Sequence, residues 1–195
     1  MNEVILTGII ESYWTDGQTS HIRVFSRQSG SGADVEPEIL YYGKLPRFVK
    51  KRERVRITGF LQKHVGKNDK GGWIVSQRIV ATKILKRKTQ CEEIFGVPGS
   101  YFEPPMISIL LKGVVKKVFT EKGWVRIQIK TDGQEEETDL TLHMHLDEIK
   151  ERQKIPAVND TICCVCTLST RNKKNGDKNI ILEDIMVSDL AIQQK

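Results

Sequence analysis

The chain has 195 residues, 38% of them apolar, and 31 Lys and Arg against 25 Asp and Glu give it a net charge of +6. That length holds one large domain or two of roughly 90 to 100 residues, and the modest apolar share favours two small cores. No run of about 18 apolar residues occurs, which excludes a helical membrane span.

Met1-Asn2-Glu3 opens without the basic-then-apolar pattern of a secretory leader, so a cytoplasmic protein with no membrane partner is expected. The charge is unevenly spread. Residues 1–90 hold 17 Lys and Arg against 8 Asp and Glu, whereas residues 91–195 hold 14 against 17. A basic first half beside a mildly acidic second points the first half towards a polyanion.

The chain opens with Val4-Ile5-Leu6-Thr7-Gly8-Ile9-Ile10, an apolar run with a glycine near its middle. Period-two alternation predicts strands near 3–14, 21–27, 38–42, 54–64 and 72–85. Asp16-Gly17, the 28–32 run and the glycine-rich 66–72 run supply the turns. The segment 44–51 is long enough for one or two helical turns. Gly96, Pro98, Gly99, Pro104 and Pro105 then mark a linker or strap.

A second copy begins at Ile109-Leu110-Leu111-Lys112-Gly113-Val114-Val115. Its strands are predicted near 106–119, 123–130, 137–145, 161–169 and 179–190, with 146–151 in the helix position. The expected fold is all-β: two tandem OB-fold barrels, five-stranded Greek keys each with a short helix between strands three and four. The units would be 1–88 and 106–195, joined by 89–105. A β-sandwich is the rival architecture, but the helix position and the long first strand favour the barrel.

Binding single strands without sequence preference needs cations along the backbone and aromatic faces for the bases. If Ile22 and Val24 point inward, then His21, Arg23, Phe25 and Arg27 point outward. Trp14 and Trp73 flank hairpin loops, and of Tyr41 and Tyr42 one faces the core and one faces out. Arg47, Lys50, Lys51, Arg52, Arg54 and Arg56 form a dense cationic group, and Lys63, His64, Lys67 and Lys70 arm the last hairpin of the first copy. Such a group releases counterions on binding and makes affinity salt-sensitive. Copy two repeats the outward row in part as Trp124, Arg126, Gln128 and Lys130, while Glu135, Glu136, Glu137 and Asp139 would repel phosphate. Copy one is therefore expected to carry most of the affinity, and copy two to be an auxiliary binder or an assembly surface.

No phosphate-cradling Gly-x-x-x-x-Gly-Lys-Ser/Thr loop and no Gly-x-Ser-x-Gly elbow occurs, so no enzyme and no cofactor is read. His143 and His145 share a strand face and Cys163, Cys164 and Cys166 follow on a later strand, but zinc usually takes Cys-x-x-Cys knuckles in loops. Cys164 and Cys166 read as small core residues, in a reducing compartment.

Three segments carry a family resemblance. Asn2-Glu3-Val4-Ile5-Leu6-Thr7-Gly8-Ile9-Ile10, Arg54-Val55-Arg56-Ile57-Thr58-Gly59-Phe60-Leu61 and Ile79-Val80-Ala81-Thr82-Lys83-Ile84-Leu85 resemble the opening, fourth and closing strands of the bacterial single-stranded DNA-binding protein family, including its relative primosomal replication protein N. Together they cover most of 1–88; the second copy has Cys166 where the fourth-strand glycine stands. The resemblance implies single-stranded DNA as partner, with RNA or an assembly role in a replication complex as alternatives. It also implies a homodimer presenting four OB-folds, and a replication or recombination protein nearby. Replicative members end in a Gly/Pro/Gln-rich tail with an acidic tip, whereas this sequence ends Ser188-Asp189-Leu190-Ala191-Ile192-Gln193-Gln194-Lys195, which fits a specialised member.

Overall fold

Alternating side chains of period two bury one face of every long strand, and all ten predicted runs form strands in the computed structural model. It describes residues 1–28, 33–67, 73–87, 89–90, 100–101, 106–132, 137–147, 154–175 and 178–193. The first half comprises β1 (Asn2–Asp16), β2 (Thr19–Arg27), β3 (Asp34–Val35), β4 (Glu38–Tyr42), β5 (Arg54–Lys67) and β6 (Trp73–Lys86). Two short strands, β7 (Thr89–Gln90) and β8 (Ser100–Tyr101), pair with each other inside the expected linker. The second half comprises β9 (Met106–Glu121), β10 (Trp124–Asp132), β11 (Glu137–His145), β12 (Thr161–Asn175) and β13 (Lys178–Gln193).

Pairing closes the first half on itself. β1 pairs with β2, β2 with β4, β4 in parallel with β6, β6 with β5, and β5 with β1. This is a closed five-stranded barrel consistent with an OB-fold. The second half runs the same circuit through β9, β10, β11, β13 and β12, again with one parallel contact, between β11 and β13. Leu6, Ile22, Ile57 and Ile79 fill the first interior and Ile109, Ile127, Leu142 and Ile185 the second, all fully buried.

The expected helix of the first half is corrected: no helix stands between β4 and β5. Residues 44–51 form turns instead, with Val49 N–H donating to Pro46 O at 2.9 Å and Glu53 N–H to Lys50 O at 3.1 Å. Arg52 closes the loop in the left-handed region at φ 68° and donates its N–H to Ile10 O at 2.7 Å. Asn159 does the same in the second half, at φ 72° and 2.8 Å from Val115 O. One loop N–H in each half, that of Arg52 or Asn159, is thus taken by a neighbouring strand, and Val49 is buried beneath the turn. Of 146–151, where the second helix is expected, only Leu146 and Asp147 lie among the described residues, and both are helical.

The two halves are joined edge to edge. Asn2–Thr7 of β1 pairs antiparallel with Met106–Leu111 of β9, making one continuous sheet. Asn2 pairs with Leu111 and Leu6 with Ile107, while Val4 faces Ile109. Adding 105 to a residue number carries Val4 to Ile109, Leu6 to Leu111 and Gly8 to Gly113, so a local two-fold axis passes through the Val4–Ile109 pair. Gln77 on β6 reinforces the joint: its Nε2 donates to Thr141 O at 2.8 Å and its Oε1 accepts from Thr141 N–H at 2.7 Å. Gln28 Nε2 likewise donates to Leu168 O across the halves.

Gly59 sits where β5 bends at a register shift against β6, and a Cβ there would stand 2.1 Å from Val80 O. Cys166 occupies the corresponding shift between β12 and β13. In β1 and β9 the bulged residues are Glu11 and Lys116, again 105 apart.

Candidate nucleic-acid interface

Strand β2 carries the predicted outward row. Ile22, Val24 and Ser26 are buried, His21, Arg23 and Phe25 are half-buried, and Arg27 is exposed. A two-residue turn at Gly17-Gln18 sets Trp14 of β1 directly opposite His21. Their rings stack in parallel, 5.0 Å between centroids and 7° between planes, with Trp14 40% exposed. Tyr13 is exposed beside it at the barrel end.

His21 is held from below as well. Its Nδ1 lies 2.9 Å from Glu38 Oε1, and the same oxygen accepts from Arg78 Nη1 at 3.1 Å. Glu38 and Arg78, which sequence reasoning missed, thus form a charged floor under the Trp14–His21 stack. Only the tertiary pairing of β2 with β4 exposes this, because the residues are far apart in the chain. Arg23 is the cross-strand neighbour of Glu38, and Arg27 pairs with Asp34 at 3.0 Å. The Arg27–Asp34 pair is exposed and contributes about 0–1 kcal/mol, so a phosphate can replace the Asp34 carboxylate at small cost.

Tyr41 packs against the core and Tyr42 is 58% exposed, the split expected for neighbours on a strand. Tyr42 lines a cleft of about 640 Å³ with Thr15, Gly17, Gln18, Ser20 and Lys44, close to the Trp14 hairpin. Arg47, Lys50 and Lys51 are exposed on the loop that closes with Arg52. Arg54 and Arg56 flank buried Val55 as expected, but both are half-buried and already engaged by neighbours. Arg54 continues the row Phe25–Ile9–Arg54 across three strands. Lys63 and His64 are exposed on β5. Partial burial and the Arg78 guanidinium hold the His64 imidazole below its ordinary pKa, against a smaller upward pull from Glu38. Lys67 and Trp73 face each other in backbone register at the hairpin end; their side chains, and Lys70 altogether, lie outside the described residues.

In the second half, Val125, Ile127 and Ile129 are fully buried, and Trp124 and Arg126 are exposed on the opposite face. Trp124 meets the His145 ring edge-on at 5.0 Å, and Arg126 Nη2 lies 3.2 Å from Glu121 Oε2. His143 faces outward to Asp184 at 3.7 Å, while Cys164 and Cys166 are buried on the core side, 3.6 Å apart at sulfur. The imidazole and the thiols lie on opposite faces of the sheet. Hydrogen bonding to Cys164 and burial push the Cys166 thiol well above its ordinary pKa.

Phe119 is an exposed aromatic that the sequence reading passed over, at 49%. The 105-residue repeat offset would have found it, since that offset carries Trp14 to Phe119 and His21 to Arg126.

Two solved structures share this fold over the whole chain. The chain is similar to a deletion mutant of the single-stranded DNA-binding protein from Thermus aquaticus, with TM-score 0.63 and 11% identity, covering 100% of this chain and 95% of that one. The wild-type form of the same protein gives TM-score 0.61 and 12% identity, covering 100% and 94%. No protein-family model matches the sequence, and no curated protein matches it.

Proposed function

We propose that the chain is a tandem OB-fold protein, with units 1–88 and 106–195, that binds single-stranded DNA without sequence preference and without catalytic turnover. The observation that carries this reading is the exposed Trp14 ring, stacked on His21 on the strand face that also carries Arg23 and Phe25. An aromatic face of that kind contributes about 1–3 kcal/mol per stacked base, and the cations neutralise phosphates. The fold shared with the Thermus single-stranded DNA-binding protein supports the ligand class. A homodimer presenting four OB-folds, acting in replication, recombination or repair, fits the same reading.

Tryptophan fluorescence titrated with oligo-dT, duplex DNA and oligo-U at low and moderate salt tests it. Strong quenching by oligo-dT, weakened by salt and small with duplex, is expected; preference for oligo-U would make RNA the ligand. Phe25→Ala, Arg23→Ala and Trp14→Ala should each weaken oligo-dT binding at least fivefold with the fold intact. Unchanged affinity in all three would remove the site from this face.

A further inference from the structure

Asp34 and Glu38 both lie beside the outward row of β2, and they are held differently. Asp34 pairs with Arg27 at 3.0 Å with its side chain 60% exposed, so it is easily set aside. The Glu38 side chain is 27% exposed, and one of its oxygens is shared: His21 Nδ1 lies 2.9 Å and Arg78 Nη1 3.1 Å from Oε1. A carboxylate held in a basic face repels phosphate, so attraction of a polyanion gives no reason for it.

The contacts give another. A carboxylate only accepts, so the His21 ring donates to Glu38 from Nδ1 and Arg78 donates to the same oxygen. His21 is thus anchored at one edge, and its face lies flat against Trp14, 5.0 Å between centroids and 7° between planes. The order is guanidinium, carboxylate, imidazole, indole, drawn from β6, β4, β2 and β1. Each member limits the rotamers open to the next. The indole, which is the exposed member, comes last.

The second barrel does without this chain of contacts. The pair Ile22–Ile39 on β2 and β4 corresponds to Ile127–Leu142 on β10 and β11, and the parallel pair Ile39–Ile79 to Leu142–Ile185. The place of Glu38 is therefore taken by Thr141, that of Arg78 by Asp184 and that of His21 by Arg126. The same circuit of strands closes there with neither a carboxylate at the first place nor a guanidinium at the second, so barrel closure does not account for Glu38 and Arg78.

We infer that Glu38 is a positioning residue of the single-strand site: through His21 it holds the Trp14 ring ready for a base, and Arg78 steadies the carboxylate. This rests on the single-strand reading above and adds to it a residue of the opposite charge to the rest of the face. Ordering the ring before a strand arrives removes part of the entropic cost of stacking. The expected sign opposes simple electrostatics. Loss of a carboxylate from a basic face tightens the binding of any polyanion, whereas loss of this one loosens the binding of a strand that carries bases.

The test measures the affinity of the full chain, at low salt, for oligo-dT and for an abasic oligonucleotide of the same length. Glu38→Ala and Glu38→Thr should each weaken oligo-dT binding about fivefold or more, the low end of what one stacked base contributes, and should not weaken binding of the abasic strand. Thr141 stands at the equivalent place in the second barrel, so Glu38→Thr keeps a residue that this strand position accepts. Glu38→Gln removes the same charge but keeps an acceptor for His21, and should recover most of the loss. In a His21→Ala background, Glu38→Ala should add little further loss. Oligo-dT affinity at or above wild type in both Glu38→Ala and Glu38→Thr overturns the positioning role and leaves the single-strand site standing. An equal loss for oligo-dT and the abasic strand overturns it as well, and so does a Glu38→Gln variant as weak as Glu38→Ala. No binding of oligo-dT by wild-type protein overturns the single-strand reading, and the positioning role with it.

Discussion

A methyl group at Gly59 would stand 2.1 Å from Val80 O and 2.9 Å from its carbonyl carbon, both parts of a backbone that cannot swing aside. Gly59→Ala is therefore expected to cost roughly 1–3 kcal/mol, the usual range for forced overpacking. Urea unfolding should show a lower midpoint with an unchanged slope; an unchanged midpoint would mean that the barrel yields at this bend. Cys166 meets the corresponding register shift between β12 and β13 with a side chain. Glycine at this bend is therefore a local packing requirement of one half. Sequence periodicity alone could name Gly59 as a bend but could not say which carbonyl it touches.

At the scale of elements, the β5–β6 hairpin links stability to pH. The His64 imidazole is held below its ordinary value in the folded chain. As pH falls through about 6.5, the unfolded chain takes up a proton there that the folded chain refuses. Stability is thus full above that value and declines as pH falls towards the folded pKa, where the loss levels off. His64→Gln should flatten this part of the profile. Urea midpoints for wild type and variant between pH 7.5 and 5 check it; parallel profiles would assign the acid sensitivity to other groups. The strands themselves were legible because alternation with period two survives in every long run. The 44–51 turn was not, because a helix and a turn of that length carry the same composition. In the structure the loop ends on Arg52, whose N–H donates to Ile10 O of β1.

At the scale of the molecule, the strand pair at the local two-fold axis holds two halves that neither half describes alone. Val4, Leu6, Ile107, Ile109 and Leu111 lie at or beside it, all at most 1% exposed. These side chains fill the two interiors, where full burial of each stabilises by about 1.5–3 kcal/mol, and the joint itself is the backbone pairing of β1 with β9. A fragment of residues 1–88 would present the β1 edge from Asn2 to Thr7 with its donors and acceptors unpaired. It is expected to self-associate through that edge, and sedimentation equilibrium would show it; a stable monomer would mean that the first barrel shields its own edge.

The outward row of β2 was readable from sequence, since Ile22 and Val24 fix its parity. So was the repeat, since Gly8 and Gly113 recur at one offset in equivalent apolar runs. The Glu38 and Arg78 floor was not, because it is built from two strands brought together only by barrel closure. Phe119 was within reach of the repeat offset but was obscured by the acidic average of the second half.

By itself, then, the sequence determined the strands, their inward and outward faces and the duplication, because all three are written in local alternation and spacing. The tertiary structure alone decided that the opening strands of the two halves pair, that Gln77 reaches Thr141, and that Trp14 and Phe119 take equivalent places on two outer faces. Those outcomes depend on which backbone edges and side chains meet across more than a hundred residues, and no local pattern encodes a partner at that distance.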